Sequence, residues 1–440
     1  MRIVHLVAGA GGMYCGSCLH GNTLVSALRA AGQDVLLVPM YTPLRTDEED
    51  QSTDRVAFGG VNAYLQQRSA LFRYTPRFLD RLLDHPRLLR WLSGRASSTR
   101  PESLGAMTVS MLRGEQGQQR KELHKLVDRL QREIRPELIH LSNAMLAGTA
   151  RELAARLKVP IVCTLSGEDA FLERLPEPYY SEARAVLRER CADLTALVAM
   201  NHYYARFMAE YLSVPSERIH VIPPGLNLQG HAQRRADTRA RHEELPVTIG
   251  YLSRICAEKG LHQLVEALKL LVEDGDLPPL RLLAAGYLAE SDRPYLDGIR
   301  SQLESWGLAD RFDYVGELDR EAKIALLQSL DVMSVPTVCP ESKGLVVLEA
   351  WANAVPVVLP AHGAFSELVE DTGGGLLCEP GSPPALAAGL KRMILDSDFA
   401  SQCGRQAREA VAGRYNAPLM AGRTIELYRA LRSTDKRLKM

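Results

Sequence analysis

The sequence predicts an α/β protein built from two doubly wound domains. A strand, a glycine-rich loop, a helix and a second strand follow one another over Arg2–Pro39. The same succession starts over at Val247, after a polar, arginine-rich run at 229–244. Elsewhere short apolar runs alternate with helical periodicity, the pattern of parallel sheets covered by helices. With 440 residues and 46% hydrophobic content, the chain has material for two such cores.

Composition excludes several functions. Lys plus Arg equals Asp plus Glu, so no net charge points to nucleic acid. The start, Met1-Arg-Ile-Val-His-Leu-Val-Ala-Gly, turns glycine-rich too soon for a signal peptide, and no apolar run nears the ~18 residues of a membrane span. The expectation is a cytoplasmic protein, with peripheral contact at the inner face of a membrane as its one lipid option. Eight scattered cysteines read as reduced thiols. Cys15 and Cys18 make one Cys-x-x-Cys without a second pair, so no metal site is expected.

In the first domain, strand Arg2–Val7 runs into Ala8-Gly9-Ala10-Gly11-Gly12, a loop whose backbone can approach an anion. Strand Asp34–Pro39 ends without the acid that would hold a dinucleotide's ribose, which argues against an oxidoreductase. Over 66–100, apolar positions at helical spacing are interleaved with arginines. That segment reads as a helical insertion with a basic outer face, or as a surface for anionic lipid. Ser166-Gly167-Glu168-Asp169 follows strand Pro160–Leu165 as a polar turn that either faces a ligand or caps a helix.

In the second domain, Ser253–Gly260 leads from strand Val247–Leu252 into a helix. Arg254 and Lys259 flank that turn and can aim at one anion, the first as a fork and the second as a point charge, unless both are plain surface charge. Gly316–Leu318 forms a turn whose backbone can border a planar base. Asp371–Leu377 reads as hairpin-like. The strongest stretch is Pro340–Ala350: Glu341 lies in a turn after a buried strand, Gly344 opens a helix, and Glu349 lies within it. A fresh helix start offers unpaired N–H groups and partial positive charge, suited to a phosphate between two carboxylates. The plainer reading makes Glu341 a helix-start residue and Glu349 a solvated one. Domain limits of 1–228, 229–402 and a final helical segment, 403–440, crossing back to the first domain complete the outline.

Together the motifs resemble the family-4 glycosyltransferases of the GT-B fold. The matching pieces are Gly250-Tyr-Leu-Ser-Arg254, Glu258-Lys259-Gly260, Tyr314-Val-Gly316, Glu341-x-x-Gly344 with Glu349-Ala350, and Gly363-Ala-Phe-Ser-Glu367. The resemblance implies two Rossmann-like domains facing across a cleft and transfer, with retention, from a nucleoside-diphosphate sugar, without metal or other cofactor. It implies diphosphate contacts at Arg254 and Lys259, and sugar contacts at Glu341 with the N–H groups of Gly344 and Leu345. It further implies ribose contact at Glu349, base contacts at Gly316 to Leu318, and approach of Gly11 and Gly12 from the other domain. Ser166 stands where many relatives carry histidine, which leaves Ser166, Glu168 and Asp169 as acceptor-side candidates. The acceptor is open among glycans, lipids and small molecules. A non-catalytic nucleotide-sugar binder, or an epimerase or phosphorylase on the same fold, remains the alternative.

Overall fold

The computed structural model describes residues 1–9, 13–53, 56–58, 101–231 and 246–438. Gly11, Gly12 and the arginine-rich segment at 66–100 lie outside the described residues. The chain divides into two compact units, Met1–Gly225 with Ala417–Met440, and Leu226–Asn416.

The first unit holds six strands: β1 (Arg2–Val7), β2 (Asp34–Pro39), β3 (Leu138–Leu141), β4 (Ile161–Thr164), β5 (Ala196–Ala199) and β6 (Ile219–Val221). They form one parallel sheet in the order β2-β1-β3-β4-β5-β6. β3, β4 and β5 are buried along their whole length, as strands covered on both faces must be. Alternation along β1 serves two cores. Val4 and Leu6 pack on one face of the sheet, Ile3 and Val7 on the other. The second face is covered by helix Gly16–Ala30 and by helix Ala417–Leu438, which brings Met420, Ala421, Ile425 and Tyr428 onto it.

The second unit holds β7 (Val247–Leu252), β8 (Leu280–Ala285), β9 (Phe312–Tyr314), β10 (Val332–Met333), β11 (Val357–Pro360) and β12 (Gly375–Cys378). Their order is β12-β11-β10-β7-β8-β9, again all parallel. β7 therefore lies between β8 and β10, and the chain winds outward from it in both directions. The topological switch point falls between β7 and β10, where open α/β sheets bind ligands at the carboxyl ends of their strands.

Two expectations need correction. The segment returning to the first unit starts at Ala417, not at 403. Helix Ser397–Arg414 belongs to the second unit because Ala400, Cys403, Ala407 and Val411 are buried in that unit's core. Nor is Asp371–Leu377 a hairpin. Gly373 ends helix Ala364–Thr372 at φ +63°, and the chain then enters β12, parallel to β11.

Candidate active site

The carboxyl ends of β7 and β10 carry the two loops that hold most of the candidate residues. They are stitched together by backbone. Val338 N–H donates to Glu258 O at 2.9 Å, and Gly260, at φ +74°, is so close that a Cβ there would lie 1.8 Å from Pro336 O. Tyr251, fully buried on β7, donates its hydroxyl to Arg254 O at 3.0 Å and to Lys259 O at 3.3 Å. That one phenol braces both ends of the Arg254–Lys259 loop.

The side chains of Lys259 and Glu341 meet across the junction, Nζ to Oε2, at 2.6 Å. They are only 23% and 15% exposed, so the pair is poorly screened by solvent. Burial alone would raise the Glu341 carboxyl. The Lys259 charge and hydrogen bond, with the charge and N–H of Lys343, outweigh it and hold the group down at about 2. Lys343 N–H donates to Oε1 at 3.2 Å. Arg254, by contrast, is exposed and makes no ion pair among the described residues. The sequence assigns Lys259 and Glu341 to separate parts of a donor; the fold joins them as one ion pair.

The backbone of Glu341 is fixed from the next loop. Ala364 N–H donates to Glu341 O at 2.7 Å. Gly363 has φ +61° and ψ −148°, a conformation nearly reserved for glycine, and a Cβ there would lie 2.5 Å from both N and O of Glu341. Gly363→Ala is therefore expected to displace the Glu341 turn and to cost about 2–3 kcal/mol. Thermal unfolding beside a donor-binding titration checks this, since an unmoved turn would leave both unchanged.

Helix Leu345–Ala352 begins at Gly344, whose φ of +73° takes the chain into the helix. Val347 and Leu348 N–H groups close on Gly344 O, at 3.0 and 3.3 Å. The N–H groups of Leu345 and Val346 have no acceptor within the helix, which leaves them for an anion. Glu349, 7% exposed, is bonded through Oε1 to Lys323 Nζ. Lys323 lies on helix Arg320–Ser329, whose N-cap Asp319 directly follows the Gly316–Leu318 turn. Sequence reading missed Lys323, because a lysine beside apolar Ile324 and Leu327 looks like the solvated face of an amphipathic helix. Its own burial, 8% exposed, reverses that. Gly316 O accepts from Gly286 N–H at 2.9 Å, and Gly286 in turn packs against Ser253 O. The turn at Gly316–Leu318 thus belongs to the same group of loops.

In the first unit, Glu168 is 3% exposed and spends its oxygens on backbone: Oε1 accepts from Ala144 N–H at 2.7 Å, Oε2 from Ser166 N–H at 2.8 Å. It fastens the loop after β4 to the loop after β3. Asp169 is half-buried, and its Oδ1 accepts from Tyr204 Oη at 2.5 Å. Ser166 Oγ lies 3.3 Å from Ser17 Oγ. Neither Ser166 nor Asp169 caps a helix through its side chain; Gly167 holds the N-cap of helix Glu168–Leu172.

Comparison with known proteins gives the family and the fold. A model of "Glycosyl transferases group 1" matches residues 233–410, and one of "Glycosyltransferase Family 4" matches 108–229. A D-inositol 3-phosphate glycosyltransferase of Corynebacterium urealyticum is 29% identical over 220 residues. That match takes in 49% of this chain and about half, 51%, of the relative's length. A GDP-mannose-dependent alpha-(1-6)-phosphatidylinositol monomannoside mannosyltransferase of Mycobacterium tuberculosis is 28% identical over 65% of this chain and 71% of its own. Among solved structures, sucrose-phosphate synthase from Thermosynechococcus elongatus superposes with a TM-score of 0.72 at 21% identity, over 99% of this chain and 100% of that one. Anabaena HepE, solved with UDP, gives 0.67 at 18%, over 98% and 100%. Two parallel six-stranded sheets give the chain the GT-B fold of these structures. Within that class the chain belongs to the family-4, group 1 glycosyltransferases. Among the described residues no helix is long and apolar enough to cross a membrane.

Proposed function

We propose that this protein transfers a sugar from a nucleoside-diphosphate sugar to an acceptor hydroxyl, with retention at the anomeric carbon. The observation that carries the reading is the partly buried Lys259–Glu341 pair at the β7/β10 switch point, beside the helix-start N–H groups of Leu345 and Val346. A cation, a carboxylate and a helix start on adjoining loops suit the parts of such a donor. Diphosphate takes Lys259, Arg254 and the helix N–H groups. Sugar hydroxyls take Glu341, ribose hydroxyls take Glu349, and the base lies along Gly316–Leu318.

In this reading the bond from the anomeric carbon to the diphosphate oxygen breaks, and negative charge grows on that oxygen. Lys259 and Arg254 lie where that charge develops, and preorganised charge of this sort commonly contributes more to catalysis than any other single effect. The acceptor oxygen attacks from the face the diphosphate leaves, and its proton passes to the departing phosphate oxygen. No side chain forms a covalent bond to the sugar. Ser166 and Asp169 are the acceptor-side candidates, while the bonds of Glu168 to backbone give it a supporting part. The names of the relatives, an inositol phosphate and a phosphatidylinositol mannoside among their substrates, favour a polyol or glycolipid acceptor.

A thermal-shift screen over UDP-, GDP- and ADP-sugars tests this. A donor present at about 100 times its dissociation constant adds about 2.7 kcal/mol to stability. The expected result is a rise in melting temperature with one nucleotide class. Incubating that donor with polyol and glycolipid acceptors should then release nucleoside diphosphate, and retain this activity in EDTA. Binding without release across the acceptors would leave a non-catalytic binder, and no shift with any donor would remove the reading.

A further inference from the structure

We infer that Lys323 is a positioning residue for nucleotide recognition: it orders Glu349 so that one carboxylate oxygen is held and the other faces the ribose. The inference rests on the donor reading given above and names a residue that reading lacks.

Glu349 sits at the fifth position of helix Leu345–Ala352, between neighbours that are themselves core. A carboxylate at 7% exposure needs a compensating charge, since an unpaired one in such surroundings costs several kcal/mol. Lys323 supplies it from a different element, helix Arg320–Ser329, and both side chains are 10% exposed. The ammonium takes Oε1, and among the described residues Oε2 has no hydrogen-bond partner. A long, flexible lysine would ordinarily lie along the surface. This one is directed inward, onto Glu349.

The surrounding bonds show that the pair is held in place. Asn353, fully buried one turn along from Glu349, donates through Nδ2 to Glu349 O at 2.9 Å. Gln328, on the helix of Lys323, donates to Asn353 Oδ1 at 3.4 Å. The two helices are therefore cross-linked twice, by the ion pair and by this amide contact. Asp319, the N-cap of the Lys323 helix, accepts Ala322 N–H at 2.9 Å and sets where the helix begins after Gly316–Leu318. Lys323 is thus one turn from the turn assigned to the base and in direct contact with the carboxylate assigned to the ribose. It links the two halves of nucleoside recognition.

A merely structural lysine would alter stability. A positioning lysine also alters the discrimination between ribose and deoxyribose. The intact chain is titrated calorimetrically with UDP, GDP and ADP, and the tightest of them is compared with its 2′-deoxy and 3′-deoxy counterparts. Wild type is expected to lose about tenfold or more for at least one deoxy form, because a lost charge-assisted contact is of order 1.5–3 kcal/mol. Lys323→Met is expected to bind the ribonucleotide at least tenfold more weakly and to treat ribo and deoxy forms alike, and Lys323→Arg to restore the preference. Retention of the wild-type preference by a folded Lys323→Met would overturn the inference.

Should Lys323→Met fail to fold, the same titrations on Lys323→Gln, which keeps a polar side chain without the charge, decide. Loss of the ribose preference there supports the inference, and the wild-type preference in folded Lys323→Gln overturns it. Failure of every nucleoside diphosphate to bind wild type would instead strike the donor reading itself, and the inference with it.

Discussion

Lys259→Ala is expected to lower kcat/KM for the donor by about 10³-fold or more, measured as released nucleoside diphosphate, and to destabilise the fold. The first effect follows from the chemistry. Removing a charge aimed at the leaving group removes about 4 kcal/mol of transition-state stabilisation, and each 1.36 kcal/mol is tenfold in rate. The second follows from Glu341. Its carboxyl stays ionised down to about pH 2 because the attraction of Lys259, helped by Lys343, overcomes the opposing effect of burial. Without Lys259 a carboxylate 15% exposed loses its main partner, and breaking such a pair from one side costs about 3–5 kcal/mol.

The sign can be checked by pH. A carboxyl held below its unfolded value contributes stability that is complete above about pH 4.5 and is lost as pH falls toward 2. In Lys259→Ala that contribution vanishes, and burial turns Glu341 into a group that resists ionisation. Lys259→Ala/Glu341→Gln separates the two effects. It should regain most of the melting temperature and none of the turnover. Full activity in Lys259→Ala would remove Lys259 from the catalytic machinery.

The fold was legible because its signals are local. Strand–loop–helix units at Arg2 and Val247 repeat, and their apolar runs need burial on both faces. Positive-φ glycines at 260, 344 and 363 stand where loops turn into helices or touch one another. What the sequence does not carry is pairing across distance. Arg254 and Lys259 look equivalent in the chain, yet one is exposed and the other is bound 82 positions away to Glu341. Lys323 and Glu349 look like two surface charges on two helices, and only the packing of those helices buries them together. Glu168 looks like a ligand-facing acid, but two backbone N–H groups already claim its oxygens. A charged residue's role is set by which loops the sheet order makes adjacent, and strand order is not written in hydrophobic periodicity.

The second large effect is expected in the first unit, in the core that receives the C-terminal helix. His5 on β1 is 1% exposed, and neither ring nitrogen has a partner among the described residues. Its ring lies 4.7 Å from that of His140 on β3. His140 Nδ1 meets Tyr428 Oη at 2.5 Å and its Nε2 meets Thr164 Oγ1 at 2.7 Å, which ties the returning helix to the sheet. Burial disfavours the imidazolium and takes His5 from 6.5 down to about 4. It also lowers His140 well below its ordinary value, aided by the charges of His5 and His20. For a group whose folded value is depressed, stability is complete above the unfolded value, here 6.5, and is lost as pH falls toward 4, because the unfolded chain takes up the proton first. A difference of that size makes His5 alone responsible for about 3 kcal/mol. Denaturant unfolding at several pH values should show wild-type stability falling over this window, above the one in which Glu341 titrates. His5→Phe keeps a ring in the place and removes the titration, so its stability should fall by about 3 kcal/mol less from pH 6.5 to 4. Equal slopes in the two proteins would mean that the buried imidazole takes up its proton as readily in the native state as in the unfolded chain, and the neutral cluster beneath Tyr428 would have to be redrawn.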